Sequence, residues 1–199
     1  MNRPDSALLV LASTSPYRRA LLARLNLDFV TANPETDETP QPNESPRDLA
    51  LRLAKAKARA AARQFAQPAL IIGSDQVAAL GNERFGKPGT PERAIAQLKR
   101  MRGETVYFYT AVAVFDTVTQ QSRVTEVPTA VTFRADLSDD AIERYVRTEQ
   151  PLDCAGAAKI EALGIALVEK VVSDDPTALI GLPLIATVRL LRHFGWQIP

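Results

Sequence analysis

One cysteine and one histidine in 199 residues narrow the available chemistry at once. The single thiol, Cys154, excludes an internal disulfide and any cysteine-rich zinc site. The single imidazole, His193, excludes a His-His metal pair and leaves a histidine-based triad one candidate on the last predicted helix. Any metal chemistry is therefore oxygen-ligand chemistry. Long hydrophobic runs are also missing: the longest early one, Ala7 to Ala12, is far too short to cross a bilayer. Nor does it read as a signal peptide, because Ser13-Thr-Ser-Pro16 and two arginines stand where a cleavage site belongs. The expected location is the cytoplasm, with no membrane partner. A charge surplus is lacking too, with 24 Lys and Arg against 23 Asp and Glu, so duplex nucleic acid is not an expected partner. What is present is an ordinary folded composition, 46% hydrophobic and 24% charged, and a length that suits one domain over residues 1–199 with two lobes sharing a sheet.

Hydrophobic periodicity alternates between strand and helix. Ala7–Ala12 is a buried strand, Ser15 caps a helix with Pro16 at its first position, and Asp28–Ala32 is a short strand before a proline-rich acidic loop. Ser45-Pro46 opens a long Ala- and Leu-rich helix to about Gln64, and Leu70–Val77 is a strand ending in polar residues. Thr90-Pro91 starts a helix to Met101. Thr105–Asp116 and Ser122–Phe133 pair across a polar turn, and Ser138 caps another helix. Leu163–Val172 reads as a last strand and Ile185–Phe194 as a last helix. This order predicts an α/β fold with a mixed sheet.

Several of these segments carry chemistry. Ser13-Thr-Ser-Pro-Tyr17-Arg18-Arg19 lies between a buried strand and a helix N-terminus, where backbone N–H groups, the helix dipole and two arginines suit an anion. Glu35, Asp37 and Glu38 form an acidic loop of the kind that holds a hard cation through one or two carboxylates, although most such loops are only solvated turns. Asp75, in Gly73-Ser-Asp75-Gln76, ends a buried strand where α/β enzymes place catalytic groups; it suits a base, a metal ligand or a plain turn residue. Lys57 lies at the edge of an apolar helical stripe, where it either snorkels to solvent or reaches into a cleft. Gly81-Asn-Glu-Arg-Phe-Gly86-Lys87 imitates a P-loop, but Pro88 replaces the magnesium-binding Ser or Thr and no helix follows directly. Lys87 remains a candidate phosphate contact. Cys154, among small residues, reads as a packed thiol, and His193 as a surface or capping residue.

Taken together, Leu11-Ala-Ser-Thr-Ser-Pro-Tyr-Arg-Arg19, Pro34-Glu35 with Asp37-Glu38, Leu53-Ala-Lys-Ala-Lys57, Gly73-Ser-Asp-Gln-Val77 and Gly86-Lys-Pro88 resemble the Maf family of nucleotide pyrophosphatases. The likeness continues through Cys154-Ala-Gly156, Lys159, Glu161 and Gly181-Leu-Pro183, and so covers nearly the whole chain. It implies a mixed, strongly bent sheet like that of inosine triphosphate pyrophosphatases, with helices around it and two lobes about a nucleotide cleft. It also implies hydrolysis of a nucleoside triphosphate to the monophosphate and pyrophosphate with a divalent cation, magnesium or else manganese. By this resemblance Asp75 is the general base and, with Glu35, a metal ligand; Asp37 and Glu38 assist. Ser13, Arg18, Arg19, Lys57 and Lys87 hold phosphates.

Gly103-Glu-Thr-Val106, lacking a histidine at its end, and Cys154-Ala-Gly-Ala-Ala-Lys-Ile-Glu161 resemble the branch that prefers 7-methyl-GTP. There the positions of Tyr17, Gln76 and Glu161 govern specificity. An aromatic ring stacks on a cationic methylated purine, and a carboxylate accepts from the guanine edge. Two alternatives stay open: a dTTP/UTP pyrophosphatase of the same family, and a regulatory nucleotide-binding protein that inhibits septum formation. The expected partner is a small nucleotide, with a homodimer left open.

Overall fold

The computed structural model describes residues 7–199. Four helices begin where a side-chain oxygen accepts an otherwise unpaired N–H. Ser15 precedes α1 (Pro16–Ala23), Ser45 precedes α2 (Pro46–Ala62), Thr90 precedes α3 (Pro91–Met101) and Ser138 precedes α4 (Asp139–Glu149). In the first three a proline occupies the opening turn, where its missing N–H costs nothing. The last helix, α5 (Leu184–His193), follows Pro183, which offers no side-chain cap.

Seven strands form one open mixed sheet: β1 (Leu8–Ala12), β2 (Val30–Ala32), β3 (Ala69–Leu80), β4 (Glu83–Phe85), β5 (Thr105–Asp116), β6 (Ser122–Phe133) and β7 (Val168–Ser173). Their order is β2-β1-β3-β5-β6-β7, with β4 folded back on β3. β1 lies parallel to both β2 and β3, with Ala12 opposite Gly73, whereas β7 runs antiparallel to β6. The contacts divide the chain into two compact units. One holds the chain up to Asp75, Thr110–Val127 and Asp175–Pro199; the other holds Gln76–Tyr109 and Pro128–Asp174.

In the first unit β1 and the opening of β3 are covered on both faces, which is why each reads as a continuous apolar run rather than an alternation. Leu9, Leu11, Leu70 and Ile72 pack with Leu21 and Leu22 of α1 and Leu190 and Leu191 of α5. Val10, Ala12 and Ile71 pack on the other side with Ala58 and Ala61 of α2. Each fully buried leucine contributes about 2 kcal/mol of transfer free energy. The alanines let α2 approach the sheet closely at Gly73: a Cβ there would stand 2.2 Å from Ala54 O and 2.6 Å from Ala58 N. That close approach sets Lys57, between those two contacts, over the middle of β3. In the second unit α3 and α4 lie against each other, and Leu98, Met101, Phe108, Phe133 and Ile142 are fully buried.

Two segments depart from expectation. Leu163–Leu167 is a 3-10 turn, not strand; only Val168–Ser173 pairs. Gly164 N donates to Lys159 O at 3.0 Å, folding the chain onto itself, and Leu163 and Ile165 stay exposed. Only Gly164 and Leu167 of this run are buried, so its apolar residues do not line one face as a strand's would. The P-loop imitation holds β4 between its glycines, with Phe85 opposite Ala78, so it is a hairpin and not a phosphate cradle.

Gly73→Ala is expected to destabilise the protein by about 3 kcal/mol or more, because backbone atoms of α2 must retreat from the new methyl group. Chemical denaturation measures the loss, and an unchanged midpoint would show that α2 does not rest on this glycine.

Candidate active site

β1 ends opposite Gly73, but β3 runs on to Leu80, so Asp75 lies in mid-strand and not at the strand end its polar neighbours suggested; there α1 and α2 bring charged groups toward it. Asp75 and Lys57 are both almost fully buried, at 6% and 7% exposure. Lys57 Nζ donates to Asp75 Oδ1 at 2.6 Å and stands 2.5 Å from Glu38 Oε1 in the loop before α2. Lys57 therefore does not snorkel to solvent; it is the cation between two carboxylates. Burial raises the Asp75 carboxyl above its ordinary value of 3.8, the Lys57 ammonium and then the Arg18 guanidinium oppose the rise, and Glu38 adds to it.

The turn from β1 into α1 is shaped by its own hydroxyls. Ser13 is buried, and its Oγ accepts from Ser15 N at 3.1 Å; Ser15 Oγ accepts from Arg18 N at 3.4 Å. Two of the N–H groups expected to face an anion are thus used inside the turn, which places the anion-binding capacity on side chains. Arg18 is half-buried, and its Nε donates to Gly181 O at 2.9 Å. Its two terminal nitrogens have no partner among the described residues. Desolvation pushes the guanidinium below its ordinary value, while Asp75 and Glu38 act in the opposite sense. A half-buried arginine whose terminal nitrogens are unused is suited to hold an anion through a paired contact. Arg19 is exposed and forms no ion pair among the described residues, and Tyr17 is half-buried on the same turn.

Of the acidic loop, Glu38 is the member that reaches Lys57. Glu35 is exposed, takes a left-handed φ of 37° and has its N–H on Asn33 Oδ1; Asp37 accepts from Thr39 N. No group of three or more His, Cys, Asp or Glu suited to a metal occurs among the described residues. The Asp75 and Glu38 oxygens that share Lys57 Nζ lie no more than about 5 Å apart. One or two carboxylates completed by substrate phosphates is the donor set that magnesium takes, so these residues fit a divalent ion that arrives with the nucleotide.

Three further candidates belong to the second unit. Gln76 follows Asp75 in β3 and is half-buried, and Lys87 is exposed with no ion pair among the described residues. Glu161 stands at a turn held from both sides: Lys159 Nζ pairs with Glu149 Oε1 at 2.7 Å, and Leu163 N donates to Glu149 Oε2 at 3.2 Å. Partial desolvation raises its carboxyl above the ordinary value. Tyr145, which accepts from Lys159 N and donates to Ala157 O, anchors the same segment; sequence reasoning gave it no role. A cavity of about 620 Å³ lies elsewhere, at the opposite end of β3, lined by Arg59, Arg63, Phe65 and Phe115. It shares no residue with the Asp75 cluster.

With this geometry in view, the comparisons are consistent with one another. The model of the family described as Maf-like protein matches residues 8–194, and the chain belongs to that family. Among individual relatives, a protein of Aromatoleum aromaticum named 7-methyl-GTP pyrophosphatase is 62% identical over 96% of this chain and 97% of its own length. One from Polaromonas sp. with the same name is 59% identical over 96% of this chain and 87% of its own. A HAM1 protein from Coxiella burnetii shares the fold, with a TM-score of 0.51 at 19% identity over 94% of this chain and 99% of that one.

Replacing Lys57 by Met is expected to move the Asp75 titration midpoint further upward, because the strongest opposing charge is gone while burial and Glu38 remain. Carboxyl carbon NMR across a pH series reads this directly. A midpoint that stays put would separate Lys57 from Asp75 electrostatically. Leaving a buried carboxylate without its partner also costs about 3 kcal/mol of stability at neutral pH.

Proposed function

We propose that the chain is a nucleoside triphosphate pyrophosphatase of the cytoplasmic nucleotide pool that hydrolyses 7-methyl-GTP to 7-methyl-GMP and pyrophosphate. The observation that carries the reading is the half-buried Arg18, its fork unused, next to the Lys57–Asp75–Glu38 cluster. The names of the relatives supply the substrate. Arg18, Arg19, Lys57 and the Ser13 hydroxyl hold the phosphates, with Lys87 as a further contact, and their positive charge offsets the charge that builds on the leaving pyrophosphate. Asp75 takes a proton from the attacking water as the α–β anhydride opens. A carboxyl raised toward neutral pH holds such a proton better than an ordinary one. Lys57 keeps Asp75 ionised enough to act and leaves it for phosphate when the nucleotide binds.

Asp75 and Glu38, with Glu35 as the further candidate, would hold magnesium or manganese. Such an ion, when bound, supplies charge neutralisation of the phosphates and orientation of the water. By the family resemblance Tyr17 would stack on the cationic purine, and Gln76 and Glu161 would read its hydrogen-bonding edge.

The test is the initial rate with magnesium across 7-methyl-GTP, GTP, dTTP and UTP, with both products identified. A large preference for 7-methyl-GTP is expected, and Asp75→Asn should lower turnover at least about 100-fold while binding is largely kept. A preference for dTTP or UTP would overturn the substrate. Binding without hydrolysis of any of the four would favour the regulatory protein.

A further inference from the structure

Asp175 is a buried carboxylate, 1% exposed, far along the chain from the catalytic cluster and unused by the mechanism above. It receives backbone donors from two directions. Oδ1 accepts from Thr177 N at 3.1 Å and Thr177 Oγ1 at 2.7 Å; Oδ2 accepts from Ile185 N at 2.7 Å and Ala186 N at 3.3 Å. It thereby supplies the cap that Pro183 cannot give α5. Thr177 closes the same loop across its base, since its hydroxyl also lies 2.9 Å from Leu182 O and accepts from Leu184 N at 2.8 Å. The segment between them is tied to the sheet by Thr110 Oγ1 donating to Ala178 O at 2.9 Å.

The loop so fixed presents one carbonyl, that of Gly181. Gly181 takes φ 122°, which side-chain-bearing residues rarely adopt, and a Cβ there would stand 3.5 Å from Arg18 Nε. Its oxygen accepts from Arg18 Nε at 2.9 Å and lies 3.0 Å from Ser74 Oγ, whose one proton is shared with Ala111 O at 2.8 Å. Ser74 is the residue before Asp75 in β3. The orientation of the Arg18 fork relative to Asp75 is therefore set by a carbonyl whose own position depends on Asp175 and Thr177.

We infer that Asp175 and Thr177 are positioning residues for Arg18, acting through the Gly181 carbonyl. This rests on the reading of Arg18 as a phosphate-holding group. A guanidinium bonded through Nε loses its rotation about the last side-chain bonds, so both terminal nitrogens stay aimed as a pair. Without the Gly181 carbonyl the same charge would be present but less well directed. The loss should appear mainly in kcat, where alignment with the reacting phosphate matters, and less in KM.

Asp175→Asn has one accepting oxygen for two sets of donors and would set its NH2 group against N–H donors on one side or the other, which endangers folding, so the principal variant is Thr177→Val, with Thr177→Ser keeping the hydroxyl. In the presence of Arg18, Thr177→Val is expected to lower kcat for 7-methyl-GTP about tenfold, Thr177→Ser to restore it, and Thr177→Val to add less than about twofold when Arg18 is already Ala. An equal loss with and without Arg18 would overturn the inference and leave Thr177 a structural residue only. A second readout does not depend on catalysis: the Arg18 Nε–H NMR signal should shift and exchange faster with water in Thr177→Val. If that signal is unchanged, the coupling is absent. If Arg18→Ala itself leaves hydrolysis intact, the phosphate-holding reading fails instead, and the NMR signal still decides whether the loop holds Arg18.

Discussion

An ammonium group held between two carboxylates, with its own stem and one of its partners inside the protein, is the constraint around which the first unit is arranged. Lys57 and Asp75 are too buried to be satisfied by water, and removing two charges from water costs several kcal/mol per ion before their attraction offsets it. A well-packed apolar pair would serve stability as well or better. What the cluster does is gather cations beside a proton-accepting carboxylate, the combination that the proposed phosphate chemistry calls for. Glu38, 60% exposed at its side chain, is the partner best placed to exchange Lys57 for solvent or a metal.

Several plain structural features exist to hold that cluster. Gly73 lets α2 touch β3, and the small residues Ala54 and Ala58 on the contacting face put Lys57 over the middle of the strand. Ser13 and Ser15 tighten the turn into α1, so that Arg18 leaves the helix in its first turn. On the other side, the loop closed by Asp175 and Thr177 delivers a single carbonyl that fixes Arg18 and Ser74 together. Each of these costs conformational freedom that the fold must offset elsewhere, which the fully buried β1 and β3 cores do.

Much of this was legible in the sequence, and for physical reasons. Capping serines and prolines marked four helix starts because those positions have a fixed hydrogen-bonding need. The paired strands Thr105–Asp116 and Ser122–Phe133 were marked by a polar turn between β-rich runs. Asp75, Lys57 and Arg18 stood out because charge next to apolar runs is rare without a partner. The identity of that partner was less visible. Glu38 and Glu35 are equivalent as residue types in an acidic loop, and only the path of the backbone brings Glu38 to Lys57. The Gly181–Arg18 bond spans 163 residues and involves a backbone oxygen, which no side-chain pattern reveals. Three-residue β4 is too short to show a period, and Leu163–Leu167 is an apolar run with only Gly164 and Leu167 buried.

The buried Asp75 carboxylate is proposed as the base of the reaction. This role is tested most directly by the pH dependence of kcat/KM for 7-methyl-GTP, set beside the carboxyl NMR titration of Asp75 in the free protein. The quantity kcat/KM reports groups of the free enzyme, so the two measurements observe the same state. An acid limb is expected that falls with the Asp75 titration, at a midpoint above the ordinary value of 3.8. A rate that stays flat while Asp75 becomes protonated would contradict this role.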